Sequence, residues 1–144
     1  MTRSTGSGQS ARELFTARCA ERILVFDGGY GTAIQQHKLQ EADYRGSLDL
    51  TKDQKGNNDL LSLTRPDIIG GIHRVYTVKR GGSYFTNTFS STRVAMADYG
   101  CEHLVRQINV ESAKLARACA DKAEAKDGLR RFVAACLTRH RRRA

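Results

Sequence analysis

Asp27-Gly28-Gly29-Tyr30-Gly31-Thr32 and Thr86-Asn87-Thr88 are the stretches of this chain whose residue types and order could do chemistry. In the first, a carboxylate is followed at once by glycines, so the backbone can turn sharply and bring its N–H groups close to a ligand. Such a pair of features suits a zwitterionic amino acid, with Asp27 taking the ammonium and neighbouring amides taking the carboxylate. The same pattern also suits a carboxylate that only braces a glycine turn. A nucleotide site would need more than glycines. The chain has no Gly-Lys-Ser/Thr to cradle phosphates, and Ile34 stands where a dinucleotide fingerprint wants Gly or Ala. It has no Gly-x-Ser-x-Gly elbow either. His37, His73 and His103 fall in expected helices with no evident nucleophile beside them, so they read as surface or partly buried histidines and no catalytic residue is assigned.

The elements that must position these stretches follow from the apolar pattern. Leu14, Phe15 and Cys19 recur at near-helical spacing, which predicts a short amphipathic helix ending around Glu21. Ile23-Leu24-Val25-Phe26 is a continuous apolar run and predicts a strand buried on both faces, as in a parallel sheet. A helix restarts near Thr32. Residues 45–58 are polar and glycine-bearing and read as a long loop across one end of the fold, with Gly56-Asn57-Asn58-Asp59 as its strongest turn signal. Thr64-Arg65-Pro66-Asp67 opens a helix, with Thr64 as its expected cap and Ile68, Ile69, Ile72, Val75 and Tyr76 as its buried stripe. Gly81 and Gly82 end it. Residues 83–86 are a second strand, 90–98 a short helix, and 102–126 a long alanine-rich helix closed by Gly128. Phe132 to Leu137 is a third strand. Strand, helix, strand, helix, strand implies parallel pairing with right-handed crossovers, an α/β layer or barrel. In such folds ligands meet the loops that leave the C-terminal ends of strands, which is where both stretches fall.

Composition limits what such a site can belong to. The chain has 144 residues, 40% hydrophobic and 27% charged, enough for one ordinary domain and too few for a complete (β/α)₈ barrel of about 250 residues. No run of apolar residues reaches the roughly 20 needed to cross a bilayer, and no secretory signal opens the sequence, so no membrane association and a cytoplasmic location are expected. The net charge of +9 is concentrated at one end, where Arg130, Arg131, Arg139, Arg141, Arg142 and Arg143 lie with no acid among them. The terminal arginine run has no interleaved aromatic residue for base stacking and reads as a solvated tail, which argues against nucleic acid as a partner. Cys19, Cys101, Cys119 and Cys136 match no Cys-x-x-Cys spacing, and Cys101 with His103 is only half a metal site, so they read as reduced, packed thiols and no metal ligand is assigned. The expected organisation is a disordered tail over 1–10, a domain over 11–137 and a basic tail over 138–144.

Five blocks carry a resemblance. Arg22 to Thr32, Glu41-Ala42-Asp43-Tyr44-Arg45-Gly46, Lys55-Gly56-Asn57-Asn58-Asp59-Leu60-Leu61, Thr86-Asn87-Thr88-Phe89 and Ala97-Asp98-Tyr99-Gly100 stand in the order and spacing of the N-terminal homocysteine-binding domain of cobalamin-dependent methionine synthases. The resemblance runs from about Arg22 to Ala134. It implies a homocysteine S-methyltransferase built on a (β/α)₈ TIM barrel, of which this chain covers roughly the first three βα units. It further implies zinc and methylcobalamin as cofactors of the full-length family, homocysteine as substrate, methionine as product and a cobalamin-binding module as partner. Carried over by position, Asp27, Gly28 and Gly29 hold the amino-acid end of homocysteine, and Asn87 and Thr88 line the same mouth.

The chain departs from the family in three places. The family's zinc ligands, an isolated cysteine and a later Gly-Gly-Cys-Cys, have no counterpart here, so activity of this polypeptide alone is not expected. Phe85 stands where the family has an acid, within a divergent stretch over 78–85. After Ala134 the chain turns into the arginine run instead of a Gly-Pro-Thr-Asn-type loop, and both divergent stretches are as abrupt as a shifted reading frame would make them. The rival readings are a non-catalytic binding module with a nucleic-acid-binding tail and an inactive truncated product.

Overall fold

Seven α-helices, two 3₁₀ turns and two short strands make up the part of the chain that the computed structural model describes, residues 10–80 and 83–135. Among these residues no helix is long and apolar enough to cross a membrane. Residues 2–9, the Gly81-Gly82 stop, Cys136, Leu137 and the Arg139–Arg143 run lie outside them.

Helix α1 (Ala11–Glu21) starts at Ser10, expected to lie in the tail. Its hydroxyl accepts from the Glu13 N–H at 3.3 Å while the Glu13 carboxylate accepts from the Ser10 N–H at 2.7 Å, a reciprocal cap for two orphan donors. The helix meets the rest of the chain through Phe15, whose ring stands edge-on to Phe132 at 5.2 Å and tilted to Phe26 at 6.4 Å.

The expected strand over Ile23–Phe26 is the main correction to the fold. This segment makes one parallel bridge, Phe26 to Ser83: Ser83 N–H donates to Val25 O at 2.8 Å and Asp27 N–H to Ser83 O at 3.0 Å. Ile23 is 91% exposed and Val25 42%. An apolar run becomes a strand buried on both faces only with a neighbour along each edge and a layer on each side. The described residues bring it one neighbour, and only at its last residue.

Strand β1 (Tyr84–Phe85) pairs in parallel with β2 (Val133–Ala134), Tyr84 opposite Val133 and Phe85 opposite Ala134. Segment 83–85 thus lies between Phe26 and β2. The architecture is helix-rich α/β with short parallel strands.

The helices around this sheet bury the expected residues with local adjustments. Helices α2 (Tyr30–Gln35), α3 (Glu41–Arg45) and α4 (Leu61–Thr64) are short. Helix α5 (Pro66–Arg80) opens on Pro66, where a missing N–H costs nothing. Its first turn is received by the carbonyl of Arg65, which accepts from Ile68 and Ile69, because Thr64 is already committed to closing α4. Ile68, Ile69 and Ile72 pack with Ile34, Tyr44 and Leu61 in one core cluster, whereas Val75 of the expected stripe is 52% exposed. Helix α6 covers Arg93–Ala97, capped by the Thr92 hydroxyl on Ala95 N–H.

Helix α7 (Val105–Asp127) buries Ile108, Ser112, Ala116, Ala120 and Ala123 along one face. Ala116 and Ala120 have almost no side chain, so the helix axis can approach the sheet closely enough to enclose Tyr84, which is 0% exposed. Arg131, one of the six terminal arginines, is only 1% exposed and donates to Asp127 and to Leu129 O, so it belongs to the fold and not to a charged surface.

Gly128 ends α7 at φ 70°, donating its N–H to Glu124 O at 2.8 Å. A Cβ there would meet nothing within 4 Å, so the cost of Gly128→Ala is conformational alone, about 1 kcal/mol. Urea unfolding should show that loss. An unchanged midpoint would mean that the left-handed cap contributes nothing.

Candidate functional site

A cavity of about 530 Å³ opens where three loops meet: Gly28 to Gly31 after the first extended segment, Gly56 to Asp59 ahead of α4, and Phe85 to Ser90 after β1. Met96 and Tyr99 complete its wall. Gly28, Gly29, Asn87 and Thr88 line it. Asp27 does not line it: its carboxylate is fully buried beneath the glycine turn.

The Asp27 carboxylate gathers three donors from three parts of the chain. Oδ1 accepts from Phe85 N–H at 2.6 Å, and Oδ2 lies 2.5 Å from the Tyr30 hydroxyl and 3.0 Å from His73 Nδ1. Tyr30 Oη is also 2.9 Å from His73 Nδ1 and 3.0 Å from Phe85 O. Hydrogen-bond counting assigns the protons. Tyr30 has one, directed at the nearer acceptor, Asp27; His73 Nδ1 faces a carboxylate oxygen and a phenol oxygen that is already donating, so it carries a proton. Burial, followed by the neighbouring Asp27 charge, pushes the Tyr30 hydroxyl above its ordinary pKa and keeps it a neutral donor.

His73 is the residue that sequence reasoning missed. It is 0% exposed and stands edge-on to Tyr84 at 5.1 Å. Its signal was positional: His73 falls four residues after Ile69 and one after Ile72, on the face of α5 that turns inward. A polar residue on such a face needs polar company.

The turn itself depends on Gly29. Its φ is +64°, a conformation that calls for glycine, and a Cβ there would also come within 2.9 Å of the Tyr76 hydroxyl, which would have to shift. The second and third loops are tied to each other. The Asn87 amide donates to Asn58 O at 2.8 Å and to Ser62 Oγ at 3.2 Å, while its own carbonyl accepts from the Ser112 hydroxyl of α7 at 3.3 Å. Thr86 and Thr88 share a hydroxyl bond of 2.7 Å. Asp59, read from sequence only as part of a turn, is buried, and its Oδ2 accepts from Ser90 N–H at 2.6 Å and from the Ser91 hydroxyl at 2.8 Å. Burial raises the Asp59 carboxyl above its ordinary pKa, against the lowering effect of Ser91 and Ser90.

The long loop over 45–58 is ordered by polar contacts. Arg45 binds Glu41 and the carbonyls of Leu50 and Lys52; Gln54, itself 0% exposed, donates to Lys52 O and Tyr99 O and accepts from Asn57. These bonds hold Asn57 to Asp59 at the cavity.

Among the described residues no three His, Cys, Asp or Glu side chains come together as a metal would need. Cys19 is exposed on α1, Cys119 half-buried on α7, and Cys101 buried against Met96 with its thiol accepting from Asn57; burial raises the pKa of both Cys101 and Cys119. These donors do not fit the zinc site that the resemblance implies.

The cavity can therefore enclose a small molecule against a mainly apolar wall, with a buried carboxylate close behind it. Compared with models of protein families, residues 24–142 match that of homocysteine S-methyltransferase, a span that contains all three cavity loops and His73. The match covers most of the 144 residues, and the chain belongs to the homocysteine S-methyltransferase family.

Proposed function

We propose that the cavity receives the amino-acid end of homocysteine, and that the chain serves transfer of a methyl group from methylcobalamin to the homocysteine sulfur, giving methionine. The observation that carries this reading is the meeting of the Gly28-Gly29 turn and the Asn87-Thr88 loop at one cavity, with the Asp27 carboxylate buried behind Tyr30 of its wall, within the span matched to the family. In this reading Asp27 accepts the substrate ammonium, the Gly28 and Gly29 backbone faces its carboxylate, and Asn87 and Thr88 shape the mouth. The parallel order Phe26, segment 83–85, segment 133–134, with helices between, supports a further proposal: these are three successive strands of a (β/α)₈ barrel. The domain would then run over 11–137, with a basic tail over 138–144, in a reducing cytoplasm.

A free thiol is mostly protonated at neutral pH, and the attacking species is the thiolate. Zinc supplies that activation in the family reading, and a cobalamin-binding module supplies the methyl group. The described residues offer zinc no donor set, so the role proposed for this chain is capture and orientation of the amino acid, without activation of sulfur.

Calorimetry with L-homocysteine under reducing conditions, followed by a turnover assay with methylcobalamin and zinc, tests both halves. Binding without turnover is expected. Absence of binding would overturn the assignment of the cavity, and turnover by this chain alone would overturn the restriction to capture.

A further inference from the structure

The ammonium of an amino acid entering the cavity meets Tyr30 before it meets Asp27. Tyr30 lines the cavity, whereas the Asp27 side chain is 0% exposed and already has its three donors. Two of these are fixed. Phe85 N–H belongs to β1, which is paired to β2, and His73 is a fully buried residue in the middle of α5. The third is different: Tyr30 is the first residue of a six-residue helix, half-buried, and flanked by Gly29 and Gly31.

We propose that the Tyr30 hydroxyl occupies the place of the substrate ammonium on Asp27, and that binding an amino acid displaces it. Tyr30 is then a specificity-determining plug. This rests on the reading of the cavity as an amino-acid site. The exchange is favourable for the right ligand: an N⁺–H to carboxylate bond replaces a neutral O–H to carboxylate bond, and charge-assisted bonds are the stronger. In the closed state Tyr30 is a neutral donor, since burial and Asp27 hold its proton in place. A thiol without an ammonium has nothing with which to evict Tyr30. The closed state thus lowers affinity for every ligand that must reach Asp27, by the fraction of molecules in which Tyr30 is open.

The test is calorimetry on the full chain with L-homocysteine and with 4-mercaptobutyrate, its analogue lacking the amino group. Tyr30→Phe removes the hydroxyl's bond to a charged acceptor together with its contacts to His73 Nδ1 and Phe85 O, so homocysteine should bind about tenfold tighter while 4-mercaptobutyrate is unaffected. Thermal melts by circular dichroism establish that each variant is folded. Because the chain has no tryptophan, the near-ultraviolet difference spectrum on homocysteine binding should carry a tyrosine signal that Tyr30→Phe abolishes. If Tyr30→Phe binds homocysteine no tighter than the parent, or gains equally for both ligands, the plug is overturned and the cavity assignment stands. If the parent chain binds no homocysteine at all, both fall.

Discussion

Asp27→Ala should weaken homocysteine binding at least about a hundredfold and destabilise the fold by on the order of 3 kcal/mol, since a buried charged acceptor is removed from several donors at once. The stability loss follows from the bonds that disappear. Phe85 N–H loses its acceptor at 2.6 Å and His73 Nδ1 loses the charge it faces at 3.0 Å, while Tyr30 can still turn its proton to Phe85 O. The binding loss follows from the ammonium losing its counter-charge. Asp27→Asn separates the two effects. The asparagine carbonyl can still accept from Phe85 N–H, and its NH₂ can donate towards Tyr30 and a His73 that has moved its proton to Nε2. Stability should largely return while binding stays lost. Calorimetry and urea unfolding on the two variants decide the matter: if Asp27→Ala binds homocysteine as the parent does, Asp27 only braces the glycine turn.

What could be read in the sequence, and what could not, divides along physical lines. Helix α7 is legible over most of its length because its signals are local, alanine-rich apolar spacing and then a glycine that takes φ 70° easily, although the residues 102–104 read as its start form a 3₁₀ turn ahead of it. The Pro66 opening of α5 is legible for the same reason, although the cap moves by one residue to Arg65 because Thr64 ends the preceding helix. The Ile23–Phe26 run is not, since whether apolar residues are covered depends on partners elsewhere in the chain, and Ser83 is the partner it finds. The candidate site shows the same division. Gly28, Gly29, Asn87 and Thr88 reach the cavity because turns at strand exits point there by construction. Local spacing did not reveal that Tyr30 folds back onto Asp27, nor that His73, 46 residues away, arrives beneath both. Phe85 illustrates the point from the other side. It reads as a lost carboxylate, yet the contribution it makes to Asp27 is a backbone N–H that any side chain would leave in place.

Asp59→Ala should cost about 2 kcal/mol by removing the common acceptor of Ser90 N–H and the Ser91 hydroxyl. It should also weaken homocysteine binding roughly tenfold, because the loop that presents Asn87 and Thr88 loses its anchor on Asp59 and keeps the ties of Asn87 to Asn58, Ser62 and Ser112 and of Ser91 O to Asn109. Asp59→Asn behaves differently, since one amide oxygen can serve both donors. What it removes is the charge, and the sign of that effect is fixed by the raised pKa. A carboxyl whose folded pKa lies above its unfolded value of 3.8 takes up its proton more readily in the folded state. The ionised group therefore destabilises the fold above its folded pKa, and that penalty fades as the pH falls towards 3.8. Asp67 and Asp127 act in the opposite sense. Hydrogen bonds from Arg65 and Arg131 lower their pKa values, so their stabilisation is present above the ordinary carboxylate range and lost on acidification. These contributions cancel in the difference between parent and Asp59→Asn. That difference, from urea unfolding at a series of pH values, should favour the variant increasingly as pH rises from 3.8 and then level off. A flat difference would mean that Asp59 is solvated in the folded chain and holds the cavity loop by geometry alone.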